Sequence, residues 1–261
     1  MKIPLFQIDA FASRVFQGNP AAVCPLEDWL PEATMQAIAA ENNLAETAFV
    51  VGRDGRYQIR WFTPVQEVDL CGHATLASAH VVFETLEPGR REVAFDSRGG
   101  ALRVSQEVDL LVLDFPAYAP AAIPVPAGIA EAMGRAPRQA LSTRDLLLVY
   151  DTEEEIRALQ PDMRGLLEVD GLGVIASAPG RASDFVSRFF APKAGILEDP
   201  ATGSSHCTLV PYWAERLGKP KLHALQLSRR GGELFCERRG ERVHLGGRAV
   251  RYLEGTIEIG R

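Results

Sequence analysis

Leu70-Cys71-Gly72-His73-Ala74-Thr75-Leu76 and Ala201-Thr202-Gly203-Ser204-Ser205-His206-Cys207 are the two stretches on which the fold turns. Each follows strand-like sequence, passes through a glycine and opens a run of small and apolar residues that reads as a largely buried helix. The runs are GHATLASAHVVFETL in the first half and EDPATGSSHCTLVPYWAERLG in the second. A weak internal repeat of this kind predicts an α+β chain of two similar lobes, with the two helix N-termini facing each other across a cleft. A helix N-terminus leaves four backbone N–H groups unpaired and carries about half a positive charge, so it holds a carboxylate without a basic side chain. Glycine at the entrance lets a ligand approach the backbone closely. Two such entrances in one cleft would cradle a small acid.

Working outward, IPLFQIDAF and AAVCPL read as strands, the second entered through the turn signal Gly18-Asn19-Pro20. Pro31 opens a helix with Met35, Ile38 and Ala39 on one face. ETAFVVG and YQIRWFTP follow as strands around Arg53-Asp54-Gly55, then EVAFDSRGG, ALRVSQ and LLVLDFP. The Pro-rich segment from Pro116 to Pro126 reads as an interlobe linker, which divides the chain into lobes 1–117 and 118–261. The second half carries a helix near Ile129 to Met133, the strand DLLLVYD and an acidic helix start at Thr152 to Glu155. Strands GLGVIASA and DFVSRFFA precede the second entrance, and strands from Leu225 to Ile259 end the chain, the last of them free to return to the first lobe.

Composition narrows the function. The 261 residues are 46% hydrophobic and 24% charged, which affords packed cores rather than disorder. A net charge of −6 gives no general attraction to nucleic acid or to anionic membrane. The basic residues Arg229, Arg230, Arg238, Arg239, Arg242 and Arg248 are interleaved with Glu233, Glu237 and Glu241, as on a solvated hairpin face. No signal-peptide core or membrane-length apolar run is evident, so a cytoplasmic protein is expected. Cys24, Cys71, Cys207 and Cys236 are widely spaced without a CxxC pair, which argues against a zinc site and a disulfide scaffold. With no dinucleotide fingerprint or P-loop either, no metal or cofactor is expected.

Five motifs, in order, resemble the PhzF (phenazine-biosynthesis-like) family along nearly the whole chain. They are Asp9-Ala10-Phe11 with Gly18-Asn19-Pro20-Ala21-Ala22-Val23, then Asn43-Leu44-Ala45-Glu46-Thr47-Ala48-Phe49, then Phe62-Thr63-Pro64 with Glu67-Val68-Asp69-Leu70-Cys71-Gly72-His73-Ala74-Thr75, then Arg188-Phe189-Phe190-Ala191-Pro192, and Glu198-Asp199-Pro200-Ala201-Thr202-Gly203-Ser204. The resemblance implies a diaminopimelate-epimerase-like fold, each lobe a barrel-like mixed sheet around a central helix, and a homodimer. It implies a cofactor-independent isomerase that moves a proton on a small cyclic carboxylate; family members of known activity act on a hydroxylated, amino-substituted cyclohexadiene carboxylate. It places the acid/base at Glu46, assisted by His73, Asp199 and Ser204, with Gly72 and Gly203 offering backbone donors, and Gly72, Gly203 and Thr202 as the substrate-binding residues.

Taken residue by residue, Glu46 begins an apolar strand, where a carboxylate is most simply a solvated strand end. His73 lies in the first turn of a helix, whose N-terminus is expected to keep the imidazole neutral. Asp199 before Pro200 reads as an N-cap with proline at the first helical position, and Ser204 as a first-turn hydroxyl. An epimerase or racemase using Cys71 as one of two thiols is an alternative, weakened because Thr202 stands at the matching position and its hydroxyl is too weakly acidic to alternate with a thiolate. A carboxylate-binding protein without turnover is another, against which Glu46 counts, since a second carboxylate does not help bind an anion. No Cys–His pairing for a cysteine hydrolase is evident.

Overall fold

The computed structural model describes residues 1–260. In chain order the principal elements are β1 (Lys2–Ala10), β2 (Asn19–Leu26), α1 (Glu32–Asn42), β3 (Glu46–Arg53), β4 (Arg56–Phe62), β5 (Glu67–Val68), α2 (Gly72–Val81), β6 (Glu92–Ser97), β7 (Gly100–Glu107) and β8 (Leu110–Pro116). They continue with β9 (Ala121–Ile123), α3 (Ile129–Met133), β10 (Gln139–Ser142), β11 (Leu146–Val149), α4 (Glu153–Ala158), α5 (Met163–Leu167), β12 (Val174–Pro179), β13 (Phe185–Phe190), α6 (Gly203–Leu217), β14 (Lys221–Gln226), β15 (Gly232–Arg239), β16 (Arg242–Gly247) and β17 (Ala249–Glu258). The chain divides into two compact units: residues 1–114 with 246–261, and residues 115–245.

In the first unit β1 lies between β17 and β2, antiparallel to both. From β2 the pairing runs parallel to β3, antiparallel to β4, parallel to β6 and antiparallel to β7. Against this mixed sheet lies α2, eight of whose residues, from His73 to Val81, are buried. A helix so uniformly apolar is a core element rather than a surface one. Beyond Val81 the expected α-helix loosens into a π-helical turn, Val82–Leu86. Helix α1 seats Met35, Ile38 and Ala39 in a second cluster with Ile3, Cys24, Phe49 and Phe62.

In the second unit the same alternation recurs: β11 is parallel to β12, β12 antiparallel to β13, β13 parallel to β14 and β14 antiparallel to β15. Helix α6 takes the part of α2, with ten of its fifteen residues buried. Pro211 stands inside it, where its missing N–H would orphan the carbonyl of Cys207 four residues back; the Tyr118 N–H supplies the bond at 2.8 Å. Tyr118 belongs to the segment read as a linker, and that reading is corrected. Ala121–Ile123 forms β9, antiparallel to β10, so the segment is part of the second unit's sheet. Prolines on either side do not prevent this, because an outer strand needs donors on one side only.

Candidate active site

Glu46 is the first residue of β3. Helix α1 ends at Asn43, which takes a left-handed conformation (φ 49°) and returns its N–H to the Ala39 carbonyl, so the chain turns into the strand within three residues. Pairing with Ala21 of β2 places the Glu46 carboxyl inside rather than at a wet strand end, with 8% of its surface exposed. Gly18, at φ +63°, opens β2; a Cβ there would lie 2.1 Å from the Ala10 carbonyl oxygen, so only glycine delivers Asn19 to its buried position.

His73 is the second residue of α2 and is buried. Its Nε2 lies 3.1 Å from Glu46 Oε2. The two atoms are out of line for a hydrogen bond, and both are buried without a hydrogen-bond partner. On the other side of the ring, Nδ1 meets the Asn19 amide nitrogen at 3.2 Å and Cys71 Sγ at 3.5 Å. The reading that no cysteine faces a histidine is therefore corrected. Cys71 is the N-cap, with extended backbone (φ −145°), so its thiol folds back over the first turn instead of following the spacing of helix faces.

Electrostatics divide the two groups. Burial pushes the Cys71 thiol up to about 11, so it stays protonated at neutral pH. Burial also works to lower the His73 pKa, but the charge of the Glu46 carboxylate and hydrogen bonding to the Cys71 sulfur more than offset it, and the net direction is well above the ordinary imidazole range. The neutral imidazole expected from the helix N-terminus is corrected accordingly: a carboxylate in contact outweighs a partial dipole charge. Glu46, Cys71 and His73 present ligand atoms within 4.8 Å of one another. The sulfur faces Nδ1 and the carboxylate faces Nε2, at opposite ends of one ring, so a single ion could not take both contacts as they stand.

The second entrance has a different interior. The N-cap of α6 is Thr202, not Asp199 as the Asp-Pro pair predicts. Asp199 instead sits buried three residues earlier and accepts the Thr202 hydroxyl proton at Oδ2, 2.5 Å away. Gln226, at the end of β14, accepts from the Thr202 N–H (2.8 Å) and donates to the Asp199 carbonyl (2.8 Å) and to Thr202 Oγ1 (3.0 Å). Ser204, second in α6, is partly exposed. Gly203 is the first residue of α6 and Gly72 the first of α2, and neither helix has a side-chain cap.

Both entrances are anchored alike. Arg60 of β4 forms a bidentate pair with Glu67 (2.6 and 2.6 Å), and Arg188 of β13 does the same with Glu198 (2.7 and 3.0 Å). Glu67 and Glu198 each stand five residues ahead of their glycine. Each arginine also lies over the phenylalanine two residues further along its strand, Phe62 at 5.2 Å and Phe190 at 5.0 Å. Arg60-Trp61-Phe62-Thr63-Pro64 and Arg188-Phe189-Phe190-Ala191-Pro192 are thus one motif used twice. The glycine-entrance repeat was visible in the sequence, but the arginine motif that fixes both entrances was not; Asn19 was read only within a turn and a family motif, and Gln226 carried no local signal.

A repeated mixed-sheet unit around a glycine-opened helix, with a buried carboxyl–imidazole pair at one of the two openings, defines a class of α+β isomerases. Comparison with known proteins places the chain within that class. A sequence model described as "Phenazine biosynthesis-like protein" matches residues 8–255. An uncharacterised isomerase of Pseudomonas aeruginosa is 52% identical over 259 residues, covering 99% of this chain and 100% of that one. The crystal structure of a PhzF-family phenazine biosynthesis protein from Enterococcus faecalis is 46% identical, with TM-score 0.97 and coverage of 99% and 100%. A hydroxyproline epimerase from Agrobacterium vitis, 10% identical with TM-score 0.63 and coverage of 98% and 92%, shares the fold alone. The chain belongs to the PhzF family of isomerases.

Proposed function

We propose that the protein is a cofactor-independent isomerase that shifts a proton within a small, cyclic, amino-substituted carboxylate, with Glu46 as the acid/base. The observation that carries this is the Glu46 Oε2–His73 Nε2 pair, 3.1 Å apart, buried, and with neither atom committed to a hydrogen bond. Glu46 takes a proton from one substrate carbon, the bonding electrons shift along the conjugated system, and the resulting carboxylic acid returns the proton to another carbon. Atoms and electrons balance within the substrate and one side chain. His73, kept on its protonated side, stabilises the negative charge that develops while the proton is in transit. Cys71 is too weakly acidic, at about 11, to serve as the base at neutral pH.

The backbone N–H groups that open α2 at Gly72, and separately those that open α6 at Gly203, are each assigned an anion-binding role, with Asp199, Thr202 and Ser204 ordering the α6 opening. That assignment rests on the family resemblance, as does a homodimeric state, which light scattering on a sizing column would establish; a cytoplasmic location rests instead on the lack of a signal-peptide core or membrane-length apolar run in the sequence. Among the described residues no helix is long and apolar enough to cross a membrane.

The test is a screen of cyclic and amino-acid carboxylates in deuterated water with wild type and Glu46→Gln. Glutamine keeps the shape and reach of glutamate but cannot accept and return a proton. Wild type should exchange deuterium into one substrate class, and Glu46→Gln should lose about 10² to 10⁴-fold in exchange while melting at nearly the same temperature. Near-wild-type exchange in folded Glu46→Gln would overturn the mechanism and return Cys71 to consideration.

A further inference from the structure

Thr202 stands at an N-cap, where threonine ordinarily turns its hydroxyl onto the N–H of the second or third helical residue and so caps its own helix. Here it does not. Its hydroxyl proton goes to Asp199 Oδ2, and the same oxygen accepts a hydrogen bond from Gln226 Nε2. The orientation of the Gln226 amide is fixed by backbone groups of opposite polarity. The Thr202 N–H can only donate, so it faces Oε1; the Asp199 carbonyl can only accept, so it faces the amide nitrogen. With that orientation set, Gln226 donates to Thr202 Oγ1, and the single hydroxyl proton is left for the carboxylate.

We propose that Gln226 is a positioning residue that holds the Thr202 hydroxyl away from its own helix, so that the first-turn N–H groups of α6 stay open for the carboxylate of the ligand. The proposal rests on the functional reading above. Gln226 is 1% exposed and spends all three of its hydrogen bonds on this one segment. The surroundings reinforce the arrangement. Ser228 donates to the Pro200 carbonyl at 2.7 Å, and Gly232 leaves room for Ala201, since a Cβ there would lie 2.6 Å from the Ala201 methyl. The cost of leaving a helix uncapped is thereby accepted at a place where a threonine able to cap it is already present.

The test uses Gln226→Met, which keeps the length of the side chain and removes all three bonds, and Gln226→Glu, which keeps only the acceptor for the Thr202 N–H. Crystal structures of the variants without ligand should show Thr202 Oγ1 turned onto the Ser204 or Ser205 N–H. Calorimetric binding of anthranilate and of its neutral amide then reads the consequence. The carboxylate should bind about tenfold more weakly to the variants, the value of one cap-type bond, while the amide is unaffected. A hydroxyl that stays on Asp199 in the variants, or equal losses for both probes, would overturn the proposal. So would failure of both variants to fold, which would make Gln226 a plain structural residue. If wild type binds neither probe, the carboxylate reading of the site falls, and the position of Thr202 in the variant crystals still decides whether Gln226 directs it.

Discussion

The two helix entrances share their backbone and differ in almost every side chain that can move a proton. Superposing their strand registers makes the difference specific. Phe62 faces Thr47 across β3–β4, and Phe190 faces Val174 across β12–β13, so the residue matching Glu46 in the second unit is Gly173. A Cβ at Gly173 would lie 2.5 Å from the Phe189 ring, which leaves no room for any acid there. His73 is matched by Ser204 and Cys71 by Thr202. One unit therefore holds a carboxyl–imidazole pair and the other a hydroxyl–carboxylate–amide network. The same scaffold is present in both units, while the carboxyl–imidazole pair is present in one. That asymmetry favours a single base moving a proton between two carbons over two bases working from opposite faces.

The comparison breaks first if the base is not where this places it. Glu46→Gln is expected to cut deuterium exchange by about 10² to 10⁴-fold, whereas Ser204→Ala should cost about tenfold or less, both read by NMR at saturating ligand. Equal losses would dissolve the distinction between the entrances.

The two buried histidines sharpen it through pH. His206, near the start of α6, donates from Nδ1 to the Thr202 carbonyl at 2.8 Å, and burial lowers its pKa to about 4. Its folded pKa lies below the unfolded value of about 6.5, so the unfolded chain takes up a proton first and stability falls as pH drops from 6.5 toward 4, by on the order of 3 kcal/mol. His73 has the opposite sign. Its folded pKa is raised, so its contribution is complete below about 6.5 and is lost as pH rises through the raised value. NMR titration should show His206 silent down to about pH 4 and His73 titrating high, with the His73 value falling in Glu46→Gln. A His73 value unchanged by that substitution would remove the carboxylate from its causes.

The anchors test the shared half of the comparison. Arg188→Met strands the largely buried Glu198 and is expected to cost about 2 kcal/mol in denaturant unfolding, whereas Arg60→Met leaves Glu67 its pair with Arg98 at 2.6 Å and is expected to cost about 1 kcal/mol. A large effect at one and none at the other would show that the motif is repeated in sequence but not in duty. Smallest of all should be the effect of metal removal: exhaustive chelation is expected to leave exchange activity unchanged, and loss restored by one added metal would contradict the cofactor-independent reading.

Much of this could be read from residues in order. Alternation and turn residues located most strands, and the helix at Ile129 to Met133 falls where the pattern placed it. The short strand Gln139–Ser142 and helix Met163–Leu167 were not seen, since neither is long enough to show a period. The Arg-x-Phe-x-Pro repeat escaped because the spacing from proline to glutamate differs between the halves, from Pro64 to Glu67 and from Pro192 to Glu198. The amides were illegible for a stronger reason. Asn19 reaches His73 across 54 residues and Gln226 reaches Thr202 across 24, and only sheet pairing brings such partners together. The Asp-Pro signal misplaced the start of α6 because Asp199 was already engaged in holding Thr202.

The pairing of β1 with β17 reaches beyond the site. Lys2 opposes Glu258, and the Met1 and Ile259 backbones exchange two hydrogen bonds of 2.9 Å. On the ribosome β1 emerges before the second unit and β17 after it, so one edge of β1 must wait unpaired while residues 115–245 are made in full. The unit that carries Glu46 is thus closed only after the other has been synthesised.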